Sequence, residues 1–378
     1  MKNSLFILTE DLNNGVIQSQ VLTHIDFLKK KKICNFILLV CYWTKDQLDE
    51  SRKISHKLKM KYGIRILFLK LLPPKLIFSN FINKKRVTHL FTKKNHDIDY
   101  IHARTDFCAI IADDLKKKIN AKLIWDCRGY APAEVDYQGK TIINFLKKLF
   151  LAKRFSTACK ISDKVIVVSS FLKNKINKFK KNNIFIVPSV ASSSLFKFDI
   201  KKRNNLRKRL KINKNKIVFI YSGSLKKYQM FDETINFFKS LSKKNKNIIL
   251  FVLTRDKIEA KEKVLGIKNI KLFSLNQSDV NNYLNAADFA IMFRKNDLTN
   301  KAASPTKFAE YCLTGLDVIT NSTAQDYYFM KKEIQNIHNV KQFNFDLIKN
   351  QNRKKVSEFY RKRLSREAYV VTYSKIYE

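Results

Sequence analysis

Residues 304–311 read SPTKFAEY and lie between two apolar runs typical of strands. Ser304 suits a helix N-cap, Pro305 suits the first helical position, and Lys307 then falls in the first turn. Together, the backbone N–H groups, the helix dipole and the Lys307 ammonium suit a diphosphate. Glu310 lies one turn on, where its carboxylate could accept hydrogen bonds from two ribose hydroxyls. The segment predicts a nucleoside-diphosphate site; the alternative is an ordinary capped helix with a surface Lys–Glu pair.

Polar side chains also follow two neighbouring strand-like runs in the first half of the chain. The first run ends with His102 and Arg104, and the next is followed by Asp126, Arg128 and Glu134. Because the carboxyl ends of parallel strands share one edge of a sheet, these groups predict the polar floor of a cleft. The alternative is an Asp–Arg salt bridge that shapes a loop, with a hydrogen-bonded histidine nearby.

Weaker candidates lie in three other strand-to-helix connections. The turn after residues 217–221 could expose backbone and hold phosphate, and its candidate residues are Gly223, Ser224, Lys226 and Lys227. Arg255 follows the next strand-like run, and Gly15 lies between the first strand and the first helix. The alternatives are solvated basic side chains and an ordinary connection.

The sequence predicts neither a metal site nor a cofactor. Asp97 and Asp99 form a D-x-D triplet, but they precede a buried strand, where an aspartate commonly marks the strand start. The chain has six cysteines and no C-x-x-C pair, which predicts reduced, partly buried thiols in a cytosolic protein.

Strand-like and helix-like runs alternate in both halves of the chain. The strand-like runs are 5–8, 35–41, 64–69, 100–103, 122–125, 164–168 and 184–187 in the first half, and 217–221, 248–253, 270–273, 289–293 and 318–320 in the second. Helix-like stretches between them include 16–30, 107–119, 232–241 and 278–287. This alternation predicts an α/β protein with two doubly wound parallel sheets.

The domain boundary is expected at a charged, helix-poor stretch, residues 198–215. We therefore expect one domain over 1–197 and a second over 198–351. Residues 352–378 are predicted to form a long terminal helix that crosses back to the first domain.

The composition is strongly basic, with a formal net charge of +43 over 378 residues. The charge is spread along the chain, which favours an anionic membrane surface over nucleic acid as a physical cause. AT-rich coding genomes also produce such a lysine-rich composition. Met1 leads almost directly into SLFIL, so no signal peptide is expected, and no apolar run approaches the ~20 residues that span a bilayer.

The segment SPTKFAEYCLTGLDVIT, residues 304–320, resembles the nucleotide-sugar motif of family 4 glycosyltransferases with the GT-B fold. The stretch from Asp126 to Glu134 resembles the N-terminal domain of the same family, and SGSLKK resembles its first loop of the second domain. The resemblance implies two Rossmann-like domains facing a central cleft. It also implies Glu310 on the ribose, Lys307 on the diphosphate and Gly315 as a tight turn. Ser304 and Thr306, beside them, are further donor-binding candidates.

The sequence departs from the family pattern at three places. The earlier glutamate that contacts the donor sugar is Ala302 here, the usual proline after the turn is Asp317, and a usual N-terminal glycine is Asn14. The missing glutamate bears on recognition of the donor sugar.

The expected function is a retaining, metal-independent glycosyltransferase that acts in bacterial cell-surface polysaccharide or lipopolysaccharide assembly. The second domain would hold the nucleotide sugar, and the first would hold a glycan acceptor that is lipid-linked. In the first domain we predict catalytic roles for His102, Arg128 and Glu134, and we predict that Gly15, Arg104 and Asp126 lie on the acceptor side. The stretches 73–95 and 140–160 are basic and aromatic, which suggests a peripheral enzyme on the inner face of the cytoplasmic membrane. The alternative is a pair of ordinary core-facing helices with lysine on the wet side.

Two other classes of function stay open. A catalytically silent GT-B protein that binds a glycan or a partner would also suit Ala302. A basic nucleic-acid-binding protein would suit the charge, but the sequence contains no recognisable RNA- or DNA-binding module, so no nucleic acid is expected as a partner.

Overall fold

The computed structural model describes residues 1–74, 76, 78–92, 97–321, 333–350 and 352–378. They form two compact units. Unit 1 combines Met1–Pro188 with Tyr369–Glu378, and unit 2 is Ser189–Ala368. The boundary therefore precedes the predicted one at residue 197. Of the basic stretch predicted at 73–95, residues 75, 77 and 93–95 lie outside the described residues.

Unit 1 contains one parallel sheet of seven strands in the order β3-β2-β1-β4-β5-β6-β7. The strands are β1 Lys2–Leu8, β2 Cys34–Tyr42, β3 Arg65–Lys70, β4 Tyr100–Ala103, β5 Lys122–Cys127, β6 Lys164–Val167 and β7 Ile184–Ile186. Each neighbouring pair is parallel. Its first and fourth strands pair directly, which creates the switch point of a doubly wound sheet.

The helices of unit 1 connect these strands. They are α1 Gly15–Ile17, a π-helical stretch Gln18–Leu22, α2 Thr23–Lys30, α3 Lys45–Tyr62, α4 Ser79–Thr92, α5 Asp106–Ile119, α6 Ala131–Glu134, a 3₁₀ turn Val135–Gln138, α7 Ile142–Ile161 and α8 Ser170–Ile176. The α5 helix packs against both α4 and α7.

Unit 2 contains a second parallel sheet, in the order β10-β9-β8-β11-β12-β13. Its strands are β8 Ile217–Ser222, β9 Ile248–Leu253, β10 Ile270–Phe273, β11 Phe289–Met292, β12 Asp317–Thr320 and β13 Ile337–Asn339. Its helices are α9 Ile200–Arg209, a 3₁₀ turn Lys227–Gln229, α10 Phe231–Lys244, α11 Lys257–Lys263, α12 Gln277–Ala286, α13 Leu298–Ala302 and α14 Thr306–Leu313. They continue with the 3₁₀ segments Val340–Gln342 and Phe345–Asn350, then α15 Arg353–Leu364 and a 3₁₀ turn Arg366–Tyr369.

Helices cover the sheet of unit 2 on both faces. Val218 and Ile220 of β8 join the core on one face, whereas Phe219 and Tyr221 join the core on the other. Successive side chains of a strand point to opposite faces, so a strand that is apolar at every position must be covered twice. The predicted α/β class with two doubly wound parallel sheets is therefore confirmed.

The predicted linker at 198–215 is wrong, because α9 occupies its centre and packs against α12. The Asp199 side chain accepts a hydrogen bond from the Lys202 backbone N–H and caps the helix start. Basic residues at the helix C-terminus favour the same structure through the helix dipole. Dense charge therefore marks a helix here.

The prediction of one long terminal helix is also wrong, because the helix is interrupted at Ser365. The α15 helix ends at Leu364 and packs its Val356 and Tyr360 into the core of unit 2. The final helix, α16 Val370–Ile376, packs into the core of unit 1.

Two further properties bear on function. All six cysteines are buried and free, as predicted. Within the described ranges, no helix combines the length and the apolar character that crossing a membrane requires.

Gly315 occupies a turn that only glycine can adopt without strain, as its predicted role as a tight turn requires. Its φ is +72°, and a Cβ at this position would lie 2.1 Å from the Arg353 carbonyl oxygen. Gly266, in the same unit, has a φ of +74° but open space around it.

We expect Gly266→Ala to cost about 1–2 kcal/mol through its left-handed backbone alone. Gly315→Ala should cost at least about 1 kcal/mol more, because the added methyl group displaces the start of α15. Urea unfolding of the two variants measures the difference. Equal losses would show that the Arg353 carbonyl relaxes freely.

Candidate functional site

Strand ends, loops and one helix start lie together at the carboxyl edge of the sheet in unit 2. The α14 helix follows β11 and begins at Thr306, with Pro305 at the N-cap position and no side-chain cap. The Ser304 hydroxyl instead accepts a hydrogen bond from the Ser189 backbone N–H, at 2.7 Å. The predicted N-cap role of Ser304 is therefore wrong by one position, and Ser304 anchors the chain just before the helix.

Lys307 and Glu310 form an ion pair of 2.9 Å on the first turn of α14. The Glu310 side chain is only 3% exposed, whereas that of Lys307 is 33% exposed. This is not a surface pair, because its carboxylate is buried and the lysine is its cationic partner. A lysine has three donor hydrogens, so Lys307 can hold Glu310 and a second anion at the same time.

The loop after β8 is built tightly against α14 and the loop after β9. The Tyr311 hydroxyl accepts a hydrogen bond from the Ser222 backbone N–H, at 2.9 Å. The Leu225 N–H donates to Asp256 Oδ2, at 2.9 Å. A Cβ on Gly223 would lie 2.3 Å from Gln229 Oε1, so any larger residue here would displace the Gln229 side chain.

Exposed basic side chains surround this loop. Lys226, Lys227 and Arg255 are all exposed. The Ser224 hydroxyl, in contrast, accepts a hydrogen bond from Gln229 Nε2 at 2.7 Å, which fixes it within the loop. Because they are exposed, these three side chains lie at the rim of the site and would contact a ligand only there.

Arg294 is a buried cation that the sequence analysis missed. It follows β11, is 8% exposed, and donates one hydrogen bond from Nη1 to the Phe293 carbonyl oxygen at 3.3 Å. No carboxylate of the described residues forms a salt bridge with it, and burial lowers the pKa of its guanidinium. The groups that oppose this lowering of the pKa are the tyrosines Tyr221, Tyr311 and Tyr228. The signal was available, since Arg294 directly follows an apolar strand-like run, and Arg255 lies two residues after another.

A cavity of about 770 Å³ lies at the opposite, amino edge of the same sheet. It is lined by Arg203, Lys216, Asp288 and Arg353, among other residues. In open α/β sheets ligands bind at the carboxyl edge, so this cavity is not the predicted donor crevice. Its arginines donate to backbone carbonyls at the end of α12 and hold that helix in place.

In unit 1 the structure brings His102 and Asp126 together at the ends of β4 and β5. His102 Nδ1 lies 2.6 Å from the Tyr377 hydroxyl, and its ring stacks on Phe6 with centroids 4.3 Å apart. Its Nε2 lies 3.5 Å from Asp126 Oδ2. Burial lowers the pKa of His102, which favours the neutral ring. This geometry supports the structural alternative, a hydrogen-bonded core histidine, and the catalytic role stays a prediction.

Asp126 forms the salt bridge that the alternative reading anticipated. Arg128 Nε lies 2.7 Å from Asp126 Oδ1. Burial by itself raises the pKa of Asp126, but the Arg128 guanidinium and His102 together hold it well below its usual range. The pair shapes the loop after β5, whose next helix, α6, ends with the exposed Glu134.

Arg104 joins the loop after β1. Its Nε donates to Glu10 at 3.1 Å, and its Nη2 donates to Gln20 at 3.0 Å. Its Nη1 is buried and has no hydrogen-bond partner within the part of the chain that the structure describes. Gly15 begins α1 in the same loop, after the Asn14 cap. Arg104 therefore has a spare donor at the edge where the acceptor was predicted.

No cluster of metal-ligating side chains is found among the described residues. The D-x-D aspartate Asp99 pairs with Lys2 at 2.9 Å and accepts a hydrogen bond from the Asn3 backbone N–H. Asp99 directly precedes β4, as predicted for a residue that marks a strand start. Its side chain also holds the start of the neighbouring strand β1.

No family model matches the sequence, and no curated protein matches it at a significant level. Solved structures do match. HepE of Anabaena in complex with UDP-glucose is 12% identical, covers 100% of this chain and 98% of its own, and has a TM-score of 0.68. Sucrose-phosphate synthase from Thermosynechococcus elongatus is 12% identical, with coverages of 100% and 98% and a TM-score of 0.70. WaaG, a glycosyltransferase involved in lipopolysaccharide biosynthesis, is 15% identical, with coverages of 99% and 94% and a TM-score of 0.62.

These three proteins are GT-B glycosyltransferases. The chain has the GT-B fold. At 12–15% identity, the similarity establishes the fold and leaves the chemistry to the residues of the site.

One of those residues, Ala302, marks a departure of this GT-B chain from the family 4 pattern. Ala302 ends α13 and is fully buried. A glutamate here would place its carboxylate in packed surroundings unless the helix end moved. The packing around Ala302 therefore leaves no room for the glutamate that contacts the donor sugar in the family pattern.

His102 generates a pH prediction for this GT-B chain. Its pKa is lowered on folding, so below about pH 6.5 the unfolded chain binds a proton that the folded chain does not, and stability falls as the pH falls. His102→Asn removes this contribution. We expect the melting temperature of the variant to fall less between pH 7.5 and 5.5 than that of wild type.

The exposed His89 provides the matched control for this measurement. His89→Asn should keep the wild-type pH dependence, because its side chain is not buried by folding. The same pH dependence in His102→Asn and wild type would contradict the assignment of a buried neutral ring.

Proposed function

We propose that this protein is a glycosyltransferase that uses a nucleoside-diphosphate sugar as donor. One observation carries the proposal: a buried carboxylate, Glu310, and its lysine partner lie at a helix start on the carboxyl edge of a GT-B sheet. Supporting it, a protein with the same fold, HepE, is described in complex with UDP-glucose.

The charges of the site match the two parts of such a donor. Glu310 accepts one hydrogen bond, from Lys307, and a carboxylate has lone pairs left for two ribose hydroxyls. Lys307 and Arg294 supply two cations for the two phosphates, and Lys226, Lys227 and Arg255 add positive charge at the rim. An arginine binds phosphate through two parallel N–H groups, which Lys307 cannot do.

The chemical step follows from this placement. The bond from the anomeric carbon to the diphosphate breaks, and its electron pair goes to the leaving phosphate oxygen. The acceptor hydroxyl oxygen bonds to the anomeric carbon and gives its proton to that phosphate. Lys307, Arg294 and the start of α14 stabilise the charge that grows on the leaving oxygen. We propose retention of configuration, which the family resemblance implies. We also propose that no metal ion is needed, because Lys307 and Arg294 would supply positive charge at the phosphates.

The acceptor proposed here is a lipid-linked glycan of cell-surface polysaccharide or lipopolysaccharide assembly. The spare Arg104 donor at the edge of unit 1 and the strongly basic composition support it. The WaaG similarity points the same way, since that protein is described as acting in lipopolysaccharide biosynthesis. Such an enzyme works at the inner face of the membrane as a peripheral protein.

The donor site is tested with Glu310→Gln and Lys307→Met. Glu310→Gln keeps the shape and the bond to Lys307 but weakens acceptance of ribose hydroxyls. A panel of UDP, GDP, ADP and dTDP sugars should stabilise the wild type by ~RT ln(1+[L]/Kd), and the gain should shrink in both variants. Lys307→Met should also slow turnover by about 10²–10³-fold.

Lys239→Met, an exposed lysine on α10, is the control and should behave as wild type. A wild-type protein that no nucleotide sugar stabilises or turns over would refute the proposed function. Full binding and turnover by Glu310→Gln would refute the ribose assignment alone.

Arg294→Met distinguishes two roles of Arg294. Removing an arginine that stabilises the fold lowers the stability of the free protein, whereas removing one that only binds a ligand does not. Burying a charge without a carboxylate partner is costly, so Arg294→Met should leave the melting temperature of the free protein unchanged or raise it. The same change should remove most of the stabilisation by the nucleotide sugar. Thermal unfolding with and without UDP-glucose measures both effects. A variant that loses stability and keeps its ligand response would assign Arg294 to the fold.

A further inference from the structure

The start of α7 presents its apolar side chains to solvent. Six large residues are between 47% and 77% exposed, and we call them the apolar face: Ile142, Ile143, Phe145, Leu146, Leu149 and Phe150. Five of them recur at helical spacing and form one stripe. Such a stripe normally faces a protein core, so its exposure indicates a surface that something covers.

The polar residues of the same turns are directed back toward the protein. Lys147 Nζ donates to Gln138 Oε1 at 2.6 Å, and Lys148 Nζ pairs with Asp136 at 2.7 Å. Asn144 Nδ2 donates to the Gln138 and Gly139 carbonyl oxygens, at 2.9 Å each. At this end of α7 the apolar side chains therefore face solvent and the lysines pair with neighbouring residues. This is the reverse of the alternative in which lysines face solvent and apolar side chains face the core.

A second exposed apolar group lies in the same helical layer. Leu76, Phe78 and Phe81 are exposed at the start of α4. Both α4 and α7 pack against α5, and both begin beyond the carboxyl ends of the strands that precede them. The two groups thus lie on the same side and at the same end of unit 1.

Basic side chains accompany both groups. Lys140 and Lys153 are exposed before and after the apolar face. Lys85 is exposed beside Phe81, with its Nζ 4.3 Å from the ring centroid. Apolar side chains with lysines beside them suit the boundary between lipid headgroups and acyl chains.

We propose that the apolar face of α7 inserts into a bilayer that contains anionic lipid and holds this protein on the membrane surface. The rim lysines and the net charge of +43 complement the negative lipid headgroups. The same charge repels a second copy of the chain. A stable protein interface also takes about 20–30 residues a side, many more than this face supplies.

Vesicle binding is measured on the full chain without donor or turnover, so its outcome is independent of the donor-site tests. The test is flotation with phosphatidylcholine vesicles, with and without phosphatidylglycerol. Phe145→Ser with Leu149→Ser should weaken the partition onto anionic vesicles by about tenfold or more, because two inserted apolar side chains are lost. Lys140→Gln with Lys153→Gln should weaken it by about fivefold for each charge.

Ile258→Ser with Leu265→Ser is the matched control, because those residues of unit 2 are 81% and 80% exposed. This control should bind as wild type, and all variants should keep the wild-type melting temperature because the altered side chains are exposed. Wild-type binding by the Phe145 and Leu149 variant, or equal binding to neutral and anionic vesicles, would overturn the proposal. A dimer that dissociates in that variant would assign the face to a second copy instead.

Discussion

The Arg353 guanidinium fixes the elements on which the candidate site depends. Its Nη1 donates to the Asn285 and Ala287 carbonyl oxygens, and its Nη2 donates to those of Leu284 and Thr314. These four bonds join the end of α12 to the turn that ends α14. The Arg353 carbonyl oxygen also lies against Gly315. The C-terminal end of α14 is therefore fixed by both the side chain and the backbone of Arg353. The positions of Lys307 and Glu310 follow from this fixed end.

Buried arginines at the two edges of the sheet in unit 2 differ in how many polar partners they have. At the amino edge, Arg203 and Arg207 pair with Asp288. Both of them and Arg353 also donate to backbone carbonyls at the end of α12, where the helix dipole is negative. At the carboxyl edge, Arg294 has one carbonyl. The three arginines that serve the fold thus donate several hydrogen bonds to backbone carbonyls of unit 2. The Arg294 guanidinium at the carboxyl edge has fewer polar partners among the described residues, and a bound anionic ligand would supply the hydrogen-bond acceptors that it lacks.

The sheets were predictable because their strands are buried on both faces, which produces continuous apolar runs such as that of β9. The strand β13 was missed because only its first residue is buried, so it leaves no apolar run. Lys307 and Glu310 were recognised from spacing, but their ion pair and the burial of Glu310 depend on tertiary packing. For the same reason, His102 could not be distinguished from a catalytic residue, since its Tyr377 partner lies 275 positions away.

Composition alone could not separate membrane contact from genome bias, because both produce a lysine-rich chain. The orientation of α7 favours the proposed membrane contact on grounds other than composition. Genome bias adds lysine to exposed positions without preference, whereas here Lys147 and Lys148 are bonded back to the protein and the apolar side chains face outward. Exposing six large apolar side chains to water stabilises nothing in the isolated fold. Covering such a surface with an apolar phase is favourable, and the lysines beside it favour a phase with anionic headgroups, as the proposed bilayer contact requires.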